Sequence, residues 1–206
     1  MIGLIRAIIF DFGGVLMRTG DPAGRREWET RLGLSTGMLE RAVHGSDLWV
    51  KTQSGLVSPD DYWAQTAAAL GAAESDIPLL RHDYFRDDHL DPGLMSFIAT
   101  LRQAGYKVGL LSNDALTLET KLRDELAIYD AFDAVVISAQ IGVMKPDERA
   151  YLAMTQALGV TPTEAVFIDD NAANIDGASR AGLWAIRYEA GMDVQAALAP
   201  YLAKES

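Results

Sequence analysis

The sequence predicts an α/β fold: a parallel sheet of five strands with helices on both faces, and a small all-helical module inserted after the first strand. Three observations carry this. Five short runs, Ala7–Phe10, Lys107–Leu111, Ala134–Ile137, Ala165–Ile168 and Trp184–Arg187, have the length and β-branched or aromatic content of buried strands. Stretches with helical spacing separate the later runs, an alternation that implies right-handed βαβ crossovers. The connection from about Met17 to Leu90 is far too long for a single crossover.

The first run stops at Asp11, and two glycines, Gly13 and Gly14, turn the chain directly after it. From Met17 to Leu90 the apolar residues, among them Trp28, Leu32, Leu39, Leu48, Tyr62, Trp63, Leu70 and Leu80, fall at helical rather than alternating spacing. Gly33, Gly45, Gly55 and Pro78 break this segment into short helices, and no strand is expected in it. Residues 1–16 and 91–206 are therefore assigned to the α/β core, and residues 17–90 to the helical module. In Pro92 to Ala104, Leu94, Phe97, Ile98 and Leu101 repeat at i, i+3, i+4 and i+7, with Asp91 as cap and Gly105 as stop. Asp147 to Leu158 closes at Gly159 and Ala172 to Ala181 at Gly182, with a last helix expected over Val194 to Leu202. Ala203–Ser206 is expected to fray.

Composition narrows the function. The 206 residues suffice for one domain, or one domain with an insertion, and for a sizeable core. A net charge of −11 argues against nucleic acid or an anionic membrane as partner, because phosphate backbones select clustered Lys and Arg. The chain contains no cysteine, which excludes disulfides, thiolate metal sites and cysteine nucleophiles. No run approaches the ~18 apolar residues of a membrane span, and Met1 to Phe10 lacks a small-residue cleavage site. A cytoplasmic monomer or homodimer acting on a small molecule is the expectation.

Four strand ends bring polar groups to one edge of the sheet: Asp11, then Ser112-Asn113-Asp114, then Lys145-Pro146, then Asp169-Asp170-Asn171. That edge is where open α/β sheets bind ligands. Two carboxylates from different strands can hold a hard divalent cation, and Mg²⁺ commonly combines one or two carboxylates with water and substrate phosphate. Ser112 offers a hydroxyl, and backbone N–H groups if a helix starts there, to a phosphate oxygen; Lys145 supplies a point charge. Each element also has a plainer role, as a turn former, a helix cap or a solvated lysine. Four such coincidences at one edge are too many, so the constellation carries the inference.

The motifs Asp11-Phe12-Gly13-Gly14-Val15-Leu16, Leu111-Ser112-Asn113, Lys145-Pro146 and Phe167-Ile168-Asp169-Asp170-Asn171-Ala172-Ala173-Asn174, in this order, resemble those of the haloacid dehalogenase superfamily. The resemblance spans nearly the whole chain and implies a Rossmann-like core. The inserted helices resemble the cap of the branch that holds sugar-1-phosphatases and the phosphatase domain of soluble epoxide hydrolases. Carried over by position, the resemblance implies Asp11 as the nucleophile that becomes an aspartyl-phosphate. Ser112, with Asn113 and Lys145, would bind the transferring phosphoryl group. Asp11, the Gly13 carbonyl and Asp170 would hold Mg²⁺, and Asp169 would orient Lys145 or a metal-bound water.

The superfamily's dehalogenases lack the acidic pair of the last motif and use no metal, so Asp169-Asp170 points to phosphoryl transfer. One departure stands out. Family phosphatases usually carry a second Asp two residues after the nucleophile, which protonates the leaving alcohol; this chain has Gly13 there. Asp114 and the acids of the helical module are the candidates for a substitute, and the sequence does not choose between them. The expectation is a Mg²⁺-dependent phosphatase of a small phosphomonoester such as a sugar-1-phosphate. The competing readings are a phosphometabolite-binding protein without turnover, a metal-independent 2-haloacid dehalogenase, and phosphotransfer to a sugar hydroxyl. Arg18, Arg25, Trp28, His44, Trp49 and Lys51 are the candidate substrate contacts in the helical module, with the tryptophans also fitting core roles.

Overall fold

The computed structural model describes residues 4–202. The chain begins with β1 (Ala7–Phe10), passes through the Asp11 loop and forms β2 (Met17–Thr19). Five helices follow: α1 (Ala23–Arg31), α2 (Met38–His44), α3 (Asp47–Gln53), α4 (Pro59–Leu70) and α5 (Ile77–Phe85). β3 (Asp88–Leu90) leads into α6 (Pro92–Gln103), β4 (Lys107–Ser112) and the short α7 (Thr117–Thr120), which runs on as a wide turn over Lys121–Glu125. The remainder is β5 (Ala134–Ile137), α8 (Ser138–Ile141), α9 (Glu148–Leu158), β6 (Ala165–Asp169), α10 (Ala172–Arg180), β7 (Trp184–Arg187) and α11 (Val194–Leu198).

Five strands pair in the order β5-β4-β1-β6-β7, every pair parallel. Phe10 lies level with Leu110 on one side and Ile168 on the other, so Asp11, Leu111 and Asp169 leave the sheet in the same layer. The chain winds outward from β1 to β4 and β5, then crosses back to β6 and β7. Its topological switch point, where such sheets leave a crevice, is therefore the carboxyl end of β1. Strand alternation divides the core in two. Ile8 and Phe10 meet Leu94, Ile98, Leu101, Leu118 and Leu198 on one face, and Ala7 and Ile9 meet Tyr151, Met154, Leu158 and Ala178 on the other.

The segment between β2 and β3 has its own core, built from Trp28, Leu39, Val43, Tyr62, Trp63, Leu80 and Tyr84. Its helices start where the sequence supplies caps: Ser46 accepts from the Trp49 N–H, and Ser58 accepts from Asp61 N–H ahead of Pro59. The structure adds a feature that no alternation announced. Met17 pairs with Leu90 and Thr19 with Asp88 in an antiparallel ribbon at the base of the helices, through strands of three residues each. The last helix is shorter than expected, ending at Leu198, because Pro200 has no N–H to continue the helical hydrogen-bond ladder. The expected fraying of Ala203–Ser206 lies outside the described residues, as do Met1–Gly3 of the core segment. No helix among the described residues is long and apolar enough to cross a membrane.

Leu39 is wholly buried in the helical core, and its N–H donates to the Glu29 carboxylate at 3.1 Å. Leu39→Ala is expected to cost roughly 2–5 kcal/mol, the usual range for a buried Leu, read as a lowered urea midpoint.

Candidate active site

Three loops converge on one ammonium group. Lys145 Nζ donates to Asp11 Oδ1 at 2.7 Å, to Asp169 Oδ2 at 2.7 Å and to the Leu111 carbonyl at 2.9 Å, and all these residues are buried. The loop holding Lys145 is fixed in turn by Asn113. Its side-chain oxygen accepts from the Lys145 N–H and its side-chain nitrogen donates to the Lys145 carbonyl, both at 2.8 Å. Asn113 was expected among the phosphate ligands; its side-chain amide is committed at both ends to the backbone of Lys145, which leaves only its backbone for such a contact. Ser112 lies buried at the end of β4, lines the central cavity, and its hydroxyl has no hydrogen-bond partner among the described residues. No helix begins at Ser112, since α7 starts five residues later at Thr117. Its backbone N–H is therefore not a helix terminus.

The adjacent acids Asp169 and Asp170 are placed differently. Asp169 Oδ2 takes Lys145 and, at 3.0 Å, Asn174 Nδ2, while Oδ1 takes the Asn171 N–H at 2.8 Å. Its acceptor capacity is largely used. Asp170 is exposed, and its carboxylate accepts no hydrogen bond from another residue among those described. It lies against Gly14, where an added Cβ would stand 2.2 Å from Asp170 Oδ2, and Gly14 itself has a left-handed φ of +82°. Only glycine meets both conditions. Asn174 was quoted in the sequence motif without a role; its position in the first turn after Asp169 is the signal that places it.

The charges do not balance within this cluster. Asp11, Asp169 and Asp170 each offer an oxygen within 4.8 Å of one another, against a single ammonium. Burial, followed by repulsion from Asp169, overrides Lys145 and pushes Asp11 up from 3.8 to about 7. Partial desolvation of its carboxyl, followed by repulsion from Asp169, also raises Asp170, although the residue as a whole is exposed. Burial works against the Lys145 charge, yet Asp11 and Asp169 outweigh it and raise the ammonium pKa. An all-oxygen donor set with surplus negative charge suits a hard divalent cation. Asp11 and Asp170 can supply carboxylate oxygens, and Gly13, which lines the same cavity, has a carbonyl that accepts no hydrogen bond among the described residues.

A cavity of about 760 Å³ opens above this cluster. Its floor includes Asp11, Gly13, Ser112, Lys145 and Asp170; its other wall is the helical module, with Arg18, Arg25, Glu40, His44, Trp49, Gln53 and Phe85. Of the candidate contacts, Arg18, Arg25, His44 and Trp49 line it. Trp28 is core, with its indole N–H donating to Asp83, and Lys51 is exposed away from the cavity. Arg25 is already engaged by Glu40 and by Asp88, and Arg18 pairs with Asp91. Gln53, which no sequence signal marked, crosses from α3 to the floor: its Nε2 donates to the Asn113 carbonyl at 2.7 Å. Ser138 Oγ then donates to the Gln53 carbonyl at 2.6 Å and accepts from the Asp114 N–H at 3.0 Å.

The family model for haloacid dehalogenase-like hydrolases matches residues 5–182, most of the chain. The chain belongs to the haloacid dehalogenase-like hydrolases. Phosphatase MT3486 of Mycobacterium tuberculosis is 33% identical over 190 residues, covering 87% of this chain and 85% of the relative. A predicted HAD-like family hydrolase of Porphyromonas gingivalis superposes with a TM-score of 0.77 at 26% identity, covering 98% of this chain and 100% of the other. A HAD family enzyme of Bacteroides thetaiotaomicron, solved with magnesium and inorganic phosphate, has the same fold: TM-score 0.75 at 20% identity, with 92% and 96% covered.

The raised Asp11 sets an expected pH dependence. A carboxyl whose pKa rises on folding favours the native state while protonated. That contribution is complete below its ordinary 3.8 and is lost as pH climbs through about 7. A divalent cation held by Asp11 and Asp170 would replace the lost proton. Mg²⁺ should therefore raise Tm more at about pH 8 than at about pH 5, and Asp170→Asn should remove the difference, as read by thermal melts.

Proposed function

We propose that this hydrolase is a Mg²⁺-dependent phosphatase of small phosphorylated metabolites, working through a covalent phosphate on Asp11. The observation that carries the reading is the unequal placement of the acidic pair. Asp169 is taken up by Lys145, Asn174 and the Asn171 N–H, whereas Asp170 is left free beside Asp11. Asp11, Asp170 and the Gly13 carbonyl would hold Mg²⁺, which supplies charge neutralisation for the phosphoryl oxygens. Asp11 attacks phosphorus, the bond to the alcohol oxygen breaks, and water later releases phosphate from Asp11. Lys145 orients Asp11 and offsets part of its negative charge, and Asp169 with Asn113 keeps Lys145 in place. The unpartnered Ser112 hydroxyl donates to a phosphoryl oxygen. A haloacid has no phosphate dianion to neutralise, so a free second carboxylate at Asp170 disfavours the dehalogenase reading.

The alcohol part of the substrate faces the helical module, whose arginines are already paired. A neutral, hydroxyl-rich alcohol such as a sugar suits the Glu40, Asp88 and Trp49 surfaces better than a second anionic group. A panel of sugar-1-phosphates, primary-alcohol phosphates and bisphosphates assayed with Mg²⁺ tests this; a preference for bisphosphates would overturn it. The module acts as a lid, held closed over the floor by Gln53. Gln53→Ala removes a hydrogen bond worth about 1 kcal/mol, so KM is expected to rise ~5-fold while Mg²⁺ affinity stays unchanged. An unchanged KM would show that the bond does no closing.

Asp11→Asn is nearly isosteric and lacks the nucleophilic oxygen. It should retain the wild-type fold by circular dichroism and lose phosphatase turnover, as should rigorous chelation of the wild type. Undiminished turnover by the purified Asn variant would rule out the covalent step.

A further inference from the structure

The proposed phosphatase chemistry leaves one role unfilled, because a departing alcohol oxygen needs a proton and Gly13 has no side chain to give it. Among the described residues, five carboxylates line the central cavity: Asp11, Glu40, Asp88, Asp114 and Asp170. Asp11 and Asp170 are taken by the nucleophile and metal positions. Glu40 is bound by His44, Tyr84 and Arg25, and its pKa is held down at about 2, so it carries no proton to donate near neutrality. Asp88 accepts from Thr19 Oγ1 at 2.6 Å and from Arg25 at 3.2 Å. Of the three that remain, Asp114 alone has no ion-pair partner. Its Oδ1 accepts the Ala115 N–H at 2.7 Å and its Oδ2 is unpartnered among the described residues.

Its placement fits the role. Asp114 stands two residues beyond Ser112, on the loop after β4, and lines both the central cavity and a second cavity of about 660 Å³ beside it. The loop is pinned, with the Asp114 N–H on Ser138 Oγ at 3.0 Å and the Asp114 carbonyl accepting the Ala139 N–H at 3.3 Å. We infer that Asp114 is the general acid that protonates the leaving alcohol, in place of the acid missing at Gly13; this rests on the phosphatase reading above. Burial lifts Asp114 to about 6 despite the Ala115 N–H, Lys121 and His44, which keeps a protonated fraction available near neutrality. Glu40 and His44 of α2, Arg81 and His82 of α5, Arg86, Asp88 of β3, and Lys121 and Glu125 beyond α7 share its cavities with Arg18, Arg25 and the floor residues Asp11, Lys145 and Asp170.

The proton balance closes over two steps. As Asp11 bonds to phosphorus, the bond from phosphorus to the alcohol oxygen breaks, its electron pair stays on that oxygen, and the Asp114 carboxyl transfers its proton there. The resulting Asp114 carboxylate then takes a proton from the attacking water. The bond from phosphorus to Asp11 breaks, and both carboxyl groups return to their starting states with alcohol and phosphate released.

The test compares two substrate classes in three proteins, using Mg²⁺-loaded full-length chain. p-Nitrophenyl phosphate has a leaving group that departs without a proton; a primary-alcohol phosphate does not. Asp114→Asn should lower kcat/KM for the primary-alcohol ester by ~10²-fold or more, within the usual worth of general acid catalysis, and for the aryl ester by only a few-fold. It should also remove the fall in kcat/KM for the alkyl ester as pH rises above about 6. Gly13→Asp in the Asp114→Asn background should restore alkyl-ester turnover. The position has room for it: a Cβ there meets nothing within 4 Å and φ is not left-handed. Equal losses on both substrates, or a pH profile unmoved by the substitution, would overturn the assignment. The phosphatase reading stands or falls separately, on whether Asp11→Asn abolishes turnover of the aryl ester.

Discussion

A single buried ammonium group organises this protein. Lys145 Nζ reaches Asp11 from β1, the Leu111 carbonyl from β4 and Asp169 from β6, so one side chain ties together three neighbouring strands. The strand register is what makes the bridge possible. A one-residue slip of β1 against β4 or β6 would turn Asp11 to the other face and leave the charge without partners. Losing one partner of a buried ion pair is strongly destabilising, commonly by about 3–5 kcal/mol, because the remaining charge cannot recover its hydration. The bridge therefore demands the native pairing as well as serving the chemistry.

The same bridge explains why the site is built in layers. Asp169 is closed off by Lys145, Asn174 and a backbone N–H, and this leaves its neighbour Asp170 as the acid with coordination capacity to spare. Gly14 gives that carboxylate its place, since any side chain there would collide with it. Around this rigid floor the helical module contributes residues whose charges already cancel in pairs, Arg25 with Glu40 and Asp88, and Arg18 with Asp91. Floor and wall thus divide the work: the floor concentrates negative charge and the wall presents a nearly neutral surface.

The sheet and floor were legible in the sequence, while the roof was less so. Buried parallel strands read as continuous apolar runs, and Asp11, Ser112 and Asp169 each follow or end one, so the edge they share could be deduced from order alone; Lys145, read as a strand end, lies beyond α8, which separates it from β5. The ribbon of Met17–Thr19 with Asp88–Leu90 escaped notice because three-residue strands are too short to alternate and their partners lie about seventy residues apart. The motif resemblance implied Asn113 as a phosphate ligand, and the sequence held no sign that its side-chain amide is spent on the Lys145 backbone. Gln53 carried no signal, since a polar residue at the end of a helix is ordinary until its partner across the cavity is known. Asp114 was visible but ambiguous; choosing it required seeing which other carboxylates were already occupied.

The ribbon has a mechanical consequence. Both chain crossings between the sheet and the helical module run through β2 and β3, which are hydrogen-bonded to each other, and β2 follows the Asp11 loop directly. Two paired strands bend readily along the axis they share but resist being twisted or slid apart. Any swing of the helices is thus confined to one arc, like a door on a single hinge pin.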